Sequence, residues 1–168
     1  LDSASSYVMV SLLKNVVDNG TGMGAKALGV PVAGKTGTTN DSFDAWFMGF
    51  SPTLVTGVWV GHDKKERPLG LGEYGGRPAL PIWNKFMDRA LRDYTGKRSK
   101  RIDEAKFAPP PGVIQVEIDP ETGKLARPES ARVALEWYRA GTEPKAYTPD
   151  QIILDPDEMD IFDVDTPL

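Results

Sequence analysis

No cysteine occurs among the 168 residues, which excludes a disulfide framework, a thiolate zinc site and a cysteine nucleophile. The single histidine, His62, excludes a multi-histidine metal centre. No run approaches 18 apolar residues, so nothing reads as a membrane-spanning helix. An excess of positive charge is also missing. Lys and Arg total 20 against 24 Asp and Glu, a net −4 that points away from nucleic acid. Six of the acids fall between Asp155 and Asp165 with no base among them, leaving 18 acids against 20 bases elsewhere. The start, Leu-Asp-Ser-Ala-Ser-Ser, carries no basic region, no apolar export core and no initiating Met. It reads as a piece of something longer, with any targeting signal upstream.

Apolar residues make up 40% of the chain, enough for a core through most of its length. Residues 4–17 read as an amphipathic helix with Ala4, Val8 and Leu12 in register, capped by Asp2 or Ser3 and stopped at Gly20. Thr21–Gly29, rich in glycine, reads as a loop. Three strands follow: 31–39, Phe43–Phe50 and Leu54–Gly61, with Asn40-Asp41-Ser42 as the first turn. The last is a nearly continuous apolar run and predicts burial on both faces. Short connections favour antiparallel pairing. Residues 62–78 are charged and Gly-rich. Residues 80–93 predict a helix with Pro81 in its first turn and a stripe of Ile82/Trp83, Phe86/Met87 and Ala90/Leu91. A basic connector, Lys97–Lys106, reads as a solvated linker. After Pro109-Pro110-Pro111, residues 113–118 alternate as a strand, Asp119–Lys124 form a turn, and 130–140 predict a short helix. Trp46, Trp59 and Trp83 are expected in the core, Trp137 nearer the surface, and His62 as a structural or solvated histidine. The acidic tail is expected to be disordered, and without a Gly-centred loop it is not a calcium site.

Three motifs compete for the same stretch. Gly29-x-x-x-x-Gly34-Lys35-Thr36 spells a phosphate-binding loop. That motif needs a helix opening at the Lys, and Thr-Gly-Thr-Thr is poor helix material. Ser11-Leu12-Leu13-Lys14 spells the S-x-x-K of serine acyl-transfer enzymes. Its ordinary reading is a solvated Ser and Lys on the outer face of the first helix. Lys35-Thr36-Gly37 spells the K-T-G of the same enzymes. On an edge strand, Lys35 brings positive charge for a carboxylate, Thr36 and Thr38 bring hydroxyl donors, and Gly37 lets an extended peptide approach. A strand amide beyond Gly37 can face a developing oxyanion.

The surroundings decide between them. Gly34-Lys35-Thr36-Gly37-Thr38-Thr39-Asn40, Asp44-Ala45-Trp46-Phe47, Gly49-Phe50-Ser51-Pro52 and Val58-Trp59-Val60-Gly61 closely resemble the transpeptidase domain of class A penicillin-binding proteins. Gly75-Gly76, Ala79, Pro81-Ile82-Trp83, Phe86-Met87, Pro110–Gly123 and Gly141-Thr142-Glu143-Pro144 extend the likeness to about residue 147. The resemblance implies an α+β fold, the C-terminal portion of the penicillin-binding-protein and serine β-lactamase-like transpeptidase fold. In order this is helix, three antiparallel strands, helix, then a Pro-rich extension. Residues 1–94 would be the transpeptidase lobe, 95–147 the extension and 148–168 the acidic tail.

In that family a serine attacks the D-Ala-D-Ala stem peptide of peptidoglycan, and an amine takes the acyl group; β-lactams acylate the same serine. By motif, Lys35 would contact the serine of the middle motif and the substrate carboxylate. Thr36 and Thr38 would hold that carboxylate, with Gly37 and Thr39 beside the substrate, and the Thr38 amide would be one oxyanion donor. No cofactor, metal or nucleic acid is implied. The family's nucleophile lies far upstream of K-T-G, whereas Ser11 precedes Lys35 by only 24 positions, and no S-x-N occurs here. Nor does this sequence carry the family's glycosyltransferase domain and N-terminal membrane anchor, which hold the enzyme on the outer face of the cytoplasmic membrane. The expectation is a fragment inert alone, whose partners are the stem peptide, β-lactams and the upstream part. The alternative is a non-catalytic cell-wall binding module on the same strands. Residues 1–94 are expected to need a companion, because the family sheet has two further strands beside Leu54–Gly61.

Overall fold

The computed structural model describes residues 1–149 apart from 65, 66, 71, 74 and 93–95. The expectation for the acidic tail lies almost wholly outside the described residues. Two compact units emerge: Leu1–Gln115 with Glu136–Glu143, and Val116–Leu135 with the described residues from Pro144 onward.

In the first unit, helix α1 (Ser3–Asn19) opens at Asp2, whose carboxylate accepts the Ser5 N–H at 2.8 Å and the Ser5 hydroxyl at 2.9 Å. Such a cap satisfies helix-end donors that have no intrahelical partner. Beyond α1 the expected loop is in fact a 3₁₀ segment, Met23–Leu28, ended by Gly29 at φ +68°. Its Ala25 and Leu28 are buried, so the small residues there turn the chain tightly under the core. Strands β1 (Ala33–Thr38), β2 (Asp44–Phe50) and β3 (Val55–Gly61) form an antiparallel sheet in the order β1-β2-β3. Lys35 lies opposite Met48, Gly37 opposite Trp46, and Trp46 opposite Trp59. Helix α2 (Ala79–Ala90) packs on one face of this sheet.

The core sits between that face and the helices. Trp83, Phe47, Met87 and Val17 are its largest fully buried side chains, joined by Leu28, Val32, Leu80 and Leu91. Trp83 meets Phe47 edge-on with ring centroids 5.0 Å apart, and its Nε1 donates to the Thr56 carbonyl at 3.0 Å. Gly49 makes room for it: a Cβ there would lie 2.7 Å from the indole. Only half of the predicted α2 stripe is buried. Trp83, Met87 and Leu91 point inward at spacing four, while Ile82 and Phe86 are about half exposed.

Among the described residues, the opposite face of the sheet is open. Trp46 (42% exposed), Met48 (49%), Val55 (68%) and Trp59 (44%) line it. Two expectations therefore fail: β3 is not buried on both faces, and Trp46 and Trp59 are not core. Strand alternation sends Thr56, Val58 and Val60 toward the helices and Val55, Gly57 and Trp59 to the open side, where no described residue layers over them.

The basic connector is not simply solvated either. Arg98 donates to Asp88 at 3.2 Å and to the Leu28 carbonyl, and Ile102, in the short helix α3 (Lys100–Asp103), packs against the core. Arg92 grips the same Asp88 through two hydrogen bonds, of 2.7 and 3.1 Å. The Arg92 hydrogen bonds, with the charges of Arg92 and Arg98, hold the Asp88 carboxyl below its usual 3.8. A depressed carboxyl stabilises the fold above its unfolded value and loses that contribution as pH falls through the folded value. Asp88→Asn is therefore expected to melt at a lower temperature than the parent near neutral pH. The gap should narrow as pH falls below 3.8 and through the lower folded value; a gap that does not change with pH in thermal melts contradicts this account.

Strands β4 (Val113–Ile118) and β5 (Ala134–Arg139) pair as a two-stranded sheet. The helix predicted over 130–140 is thus a strand. Leu135 and Trp137 alternate with Glu136 and Tyr138, and pairing with β4 outweighs a weak helical pattern. In the second unit, the Asp119 carboxylate accepts the Glu121 N–H at 2.9 Å and the hydroxyls of Thr122 and Thr148 at 3.2 and 3.0 Å. Gly123, at φ +68°, closes this predicted turn with its N–H on the Asp119 carbonyl.

Candidate active site

β1 is an edge strand, and the direction of its backbone groups follows from one bond. The Thr39 N–H donates to the Asp44 carbonyl at 3.0 Å, in register with the β1–β2 ladder. In an antiparallel ladder, residues alternate between bonding their partner strand and pointing away. Lys35 and Gly37 therefore bond toward β2, and the N–H and C=O groups of Thr36 and Thr38 point outward. No strand covers this edge among the described residues.

The side chains converge on the same edge. Lys35 Nζ donates to the outward Thr36 carbonyl at 2.9 Å and lies 3.4 Å from Thr36 Oγ1. Thr36 Oγ1 is 2.8 Å from Thr21 Oγ1, and Thr38 Oγ1 accepts the Gly75 N–H at 3.0 Å. A hydroxyl has one proton and two acceptor sites. The protein fills acceptor capacity on Thr38, which leaves its proton free to donate. Lys35, Thr36, Gly37 and Thr38 thus stand together on one open edge, carrying a cation, two hydroxyls and outward amides.

Thr39 is placed otherwise. Its hydroxyl donates to Asp44 Oδ2 at 3.2 Å and accepts the Asp44 N–H at 2.8 Å, while Trp59 Nε1 donates to Asp44 Oδ1 at 3.0 Å. This buried carboxylate ties the β1–β2 turn, where Asp41 and Ser42 adopt φ +61° and +57°. Thr39 serves the hairpin that holds the end of β1.

The competing motifs are not assembled. Ser11 Oγ donates to the Val8 carbonyl at 2.7 Å, and Lys14 pairs with Asp18 at 3.0 Å, so the two do not engage each other. Lys35 begins no helix; it lies within β1. Hence the phosphate-loop pattern has no helix N-terminus behind it. Three residues of the site escaped sequence reasoning. Thr21 and Gly75 approach from distant loops. Asp44 lay inside a quoted motif without a role. The one available signal was glycine, at 20, 22, 75 and 76.

This open-edged antiparallel sheet, with K-T-G on its outermost strand and helices on one face, is similar in sequence and fold to the C-terminal part of class A penicillin-binding proteins. Residues 109–151 match the family described as penicillin-binding protein 1A, C-terminal domain. The chain is 43% identical over 145 residues to penicillin-binding protein 1A of Pseudomonas aeruginosa, covering 86% of this chain and 16% of that protein. It is 46% identical over 104 residues to penicillin-binding protein 1A of Neisseria lactamica, covering 61% of this chain and 13% of the relative. The crystal structure of penicillin-binding protein 1A from Haemophilus influenzae superposes with a TM-score of 0.72 at 32% identity, over 89% of this chain and 22% of that one. The chain thus spans less than a quarter of the length of these relatives.

Proposed function

We propose that this chain supplies the substrate-binding strand of a peptidoglycan D,D-transpeptidase and is inactive alone. The observation that carries the reading is the free edge of β1, where Lys35, two threonine hydroxyls and the outward Thr38 amide converge. In this reading the stem peptide lies along β1 as an added strand. Lys35, Thr36 and Thr38 hold its terminal carboxylate. A serine from upstream attacks the carbonyl between the two D-Ala residues. The Thr38 N–H donates to the oxyanion, together with the amide of that serine. Collapse breaks the peptide bond and releases the terminal D-Ala. A neighbouring amine then attacks the ester, forms the cross-link and frees the serine. β-Lactams enter by the same first step.

Residues 1–94 act as the C-terminal lobe of the transpeptidase domain, with 95–147 as an extension. The open face of Trp46, Met48, Val55 and Trp59 supports a lobe completed by upstream chain, since apolar patches of this kind mark buried contacts. The parent would also carry the glycosyltransferase domain and would work outside the cytoplasmic membrane, anchored by its N-terminus. The test is mass spectrometry after incubation with penicillin. This chain alone should form no covalent adduct. The polypeptide that joins it to the upstream serine should gain one penicillin mass. No adduct on the joined polypeptide defeats the enzyme reading and leaves a binding module.

A further inference from the structure

Thr21 lies outside every motif that the site explains, yet its hydroxyl is 2.8 Å from that of Thr36. The placement is built. The N–H groups of Gly20 and Gly22 both donate to the Val16 carbonyl at 3.0 Å, which puts Thr21 at the apex of a tight turn after α1. Cβ atoms at 20 and 22 would lie 3.0 and 3.2 Å from that oxygen, so the turn favours glycine on both sides of Thr21. Gly76 seals the other side, its Cβ direction meeting the Thr21 carbonyl at 3.1 Å and Thr36 Cγ2 at 3.7 Å. Thr21 itself is solvent-exposed, at the edge of β1.

We propose that Thr21 is a positioning residue: it donates its hydroxyl proton to Thr36 Oγ1 and so aims the Thr36 proton outward at the carboxylate of the bound peptide or β-lactam. The hydroxyl inventory supports this. Thr36 Oγ1 has two acceptor sites and one proton. Lys35 Nζ, at 3.4 Å, faces one acceptor site and Thr21, at 2.8 Å, takes the other. That leaves the hydroxyl's own proton to meet an anion, beside Lys35 and the Thr38 hydroxyl. Without Thr21, Thr36 loses a partner and its hydroxyl rotates freely. The inference rests on the transpeptidase reading and adds a residue to it.

The test uses the polypeptide that joins this chain to the upstream serine, with penicillin and its carboxylate ester as probes. Thr21→Val should raise the penicillin concentration for half-maximal acylation rate about tenfold, with the limiting rate nearly unchanged. Thr21→Ser should restore the parent value. Thr21→Ala keeps the test open if valine disturbs the turn. The ester, lacking the anion, should show no such loss, a contrast that a purely structural role would not produce. Thr21→Val and Thr36→Val should combine with less than additive effect. Equal losses for penicillin and ester, additive effects, or no change in either hydroxyl-free variant would overturn the proposal. A parent polypeptide that is not acylated at all would instead overturn the transpeptidase reading beneath it.

Discussion

Lys35→Ala is expected to slow penicillin acylation of the joined polypeptide by about a hundredfold or more, the scale on which single preorganised electrostatic groups act. Lys35 is the cation at the free edge of β1, and among the described residues its Nζ holds only the Thr36 carbonyl and hydroxyl. Both contacts are solvent-facing, so removing them should leave the fold intact. The loss should therefore appear in acylation and not in the melt. Lys35→Arg should recover little, because a planar guanidinium cannot occupy the position of a compact ammonium. Stopped-flow acylation with a fluorescent penicillin, beside a thermal melt of each variant, separates the two quantities. Near-normal acylation by Lys35→Ala would remove Lys35 from the site.

Trp83→Ala should have the largest effect on stability, about 3–5 kcal/mol. Trp83 is fully buried, stacks edge-on against Phe47, and anchors α2 to β3 through the Thr56 carbonyl. Gly49, packed against the indole, has no side chain to reach into the space left by Trp83, and close-packed cores refill such cavities only in part. Against a total stability of about 5–15 kcal/mol, such a loss removes a large share of the margin. Trp83→Phe should keep most of the packing and forfeit the hydrogen bond. Trp46→Ala and Trp59→Ala, at roughly half-exposed positions, should cost clearly less in the same denaturant titration. A Trp83→Ala midpoint equal to theirs contradicts the core assigned to the first unit.

The contrast between these tryptophans marks what was legible in the sequence. Strand boundaries, the antiparallel order and α2 follow from periodicity and turn residues, and appear within a few residues of expectation. Which face of a strand is covered does not follow, because composition reports apolarity and not neighbours. Val55, Trp59 and Trp46 are apolar yet exposed here because nothing described lies over them. The 130–140 segment failed for a related reason: Ala134–Arg139 is a strand because β4 lies beside it, a long-range fact. The 3₁₀ segment Met23–Leu28 was hidden by its glycines, which read as loop. At the site, Lys35, Thr36, Gly37 and Thr38 were named from the motif. Thr21 was not, and Gly75 was quoted only in Gly75-Gly76 without a role, since each reaches β1 from a loop outside the motif. Thr39 shared the motif and went to the hairpin instead, because Asp44 claims both functions of its hydroxyl.

The central claim is that the outward edge of β1 receives the acyl group and its carboxylate. A crystal structure of the penicillin adduct of the joined polypeptide tests it most directly. The account predicts the acyl oxygen on the Thr38 N–H and the penicillin carboxylate within hydrogen-bonding distance of Thr36 and Thr38 Oγ1, with Lys35 Nζ turned from the Thr36 carbonyl toward the ligand. An adduct on Ser11, or a carboxylate bound away from this edge, would contradict it.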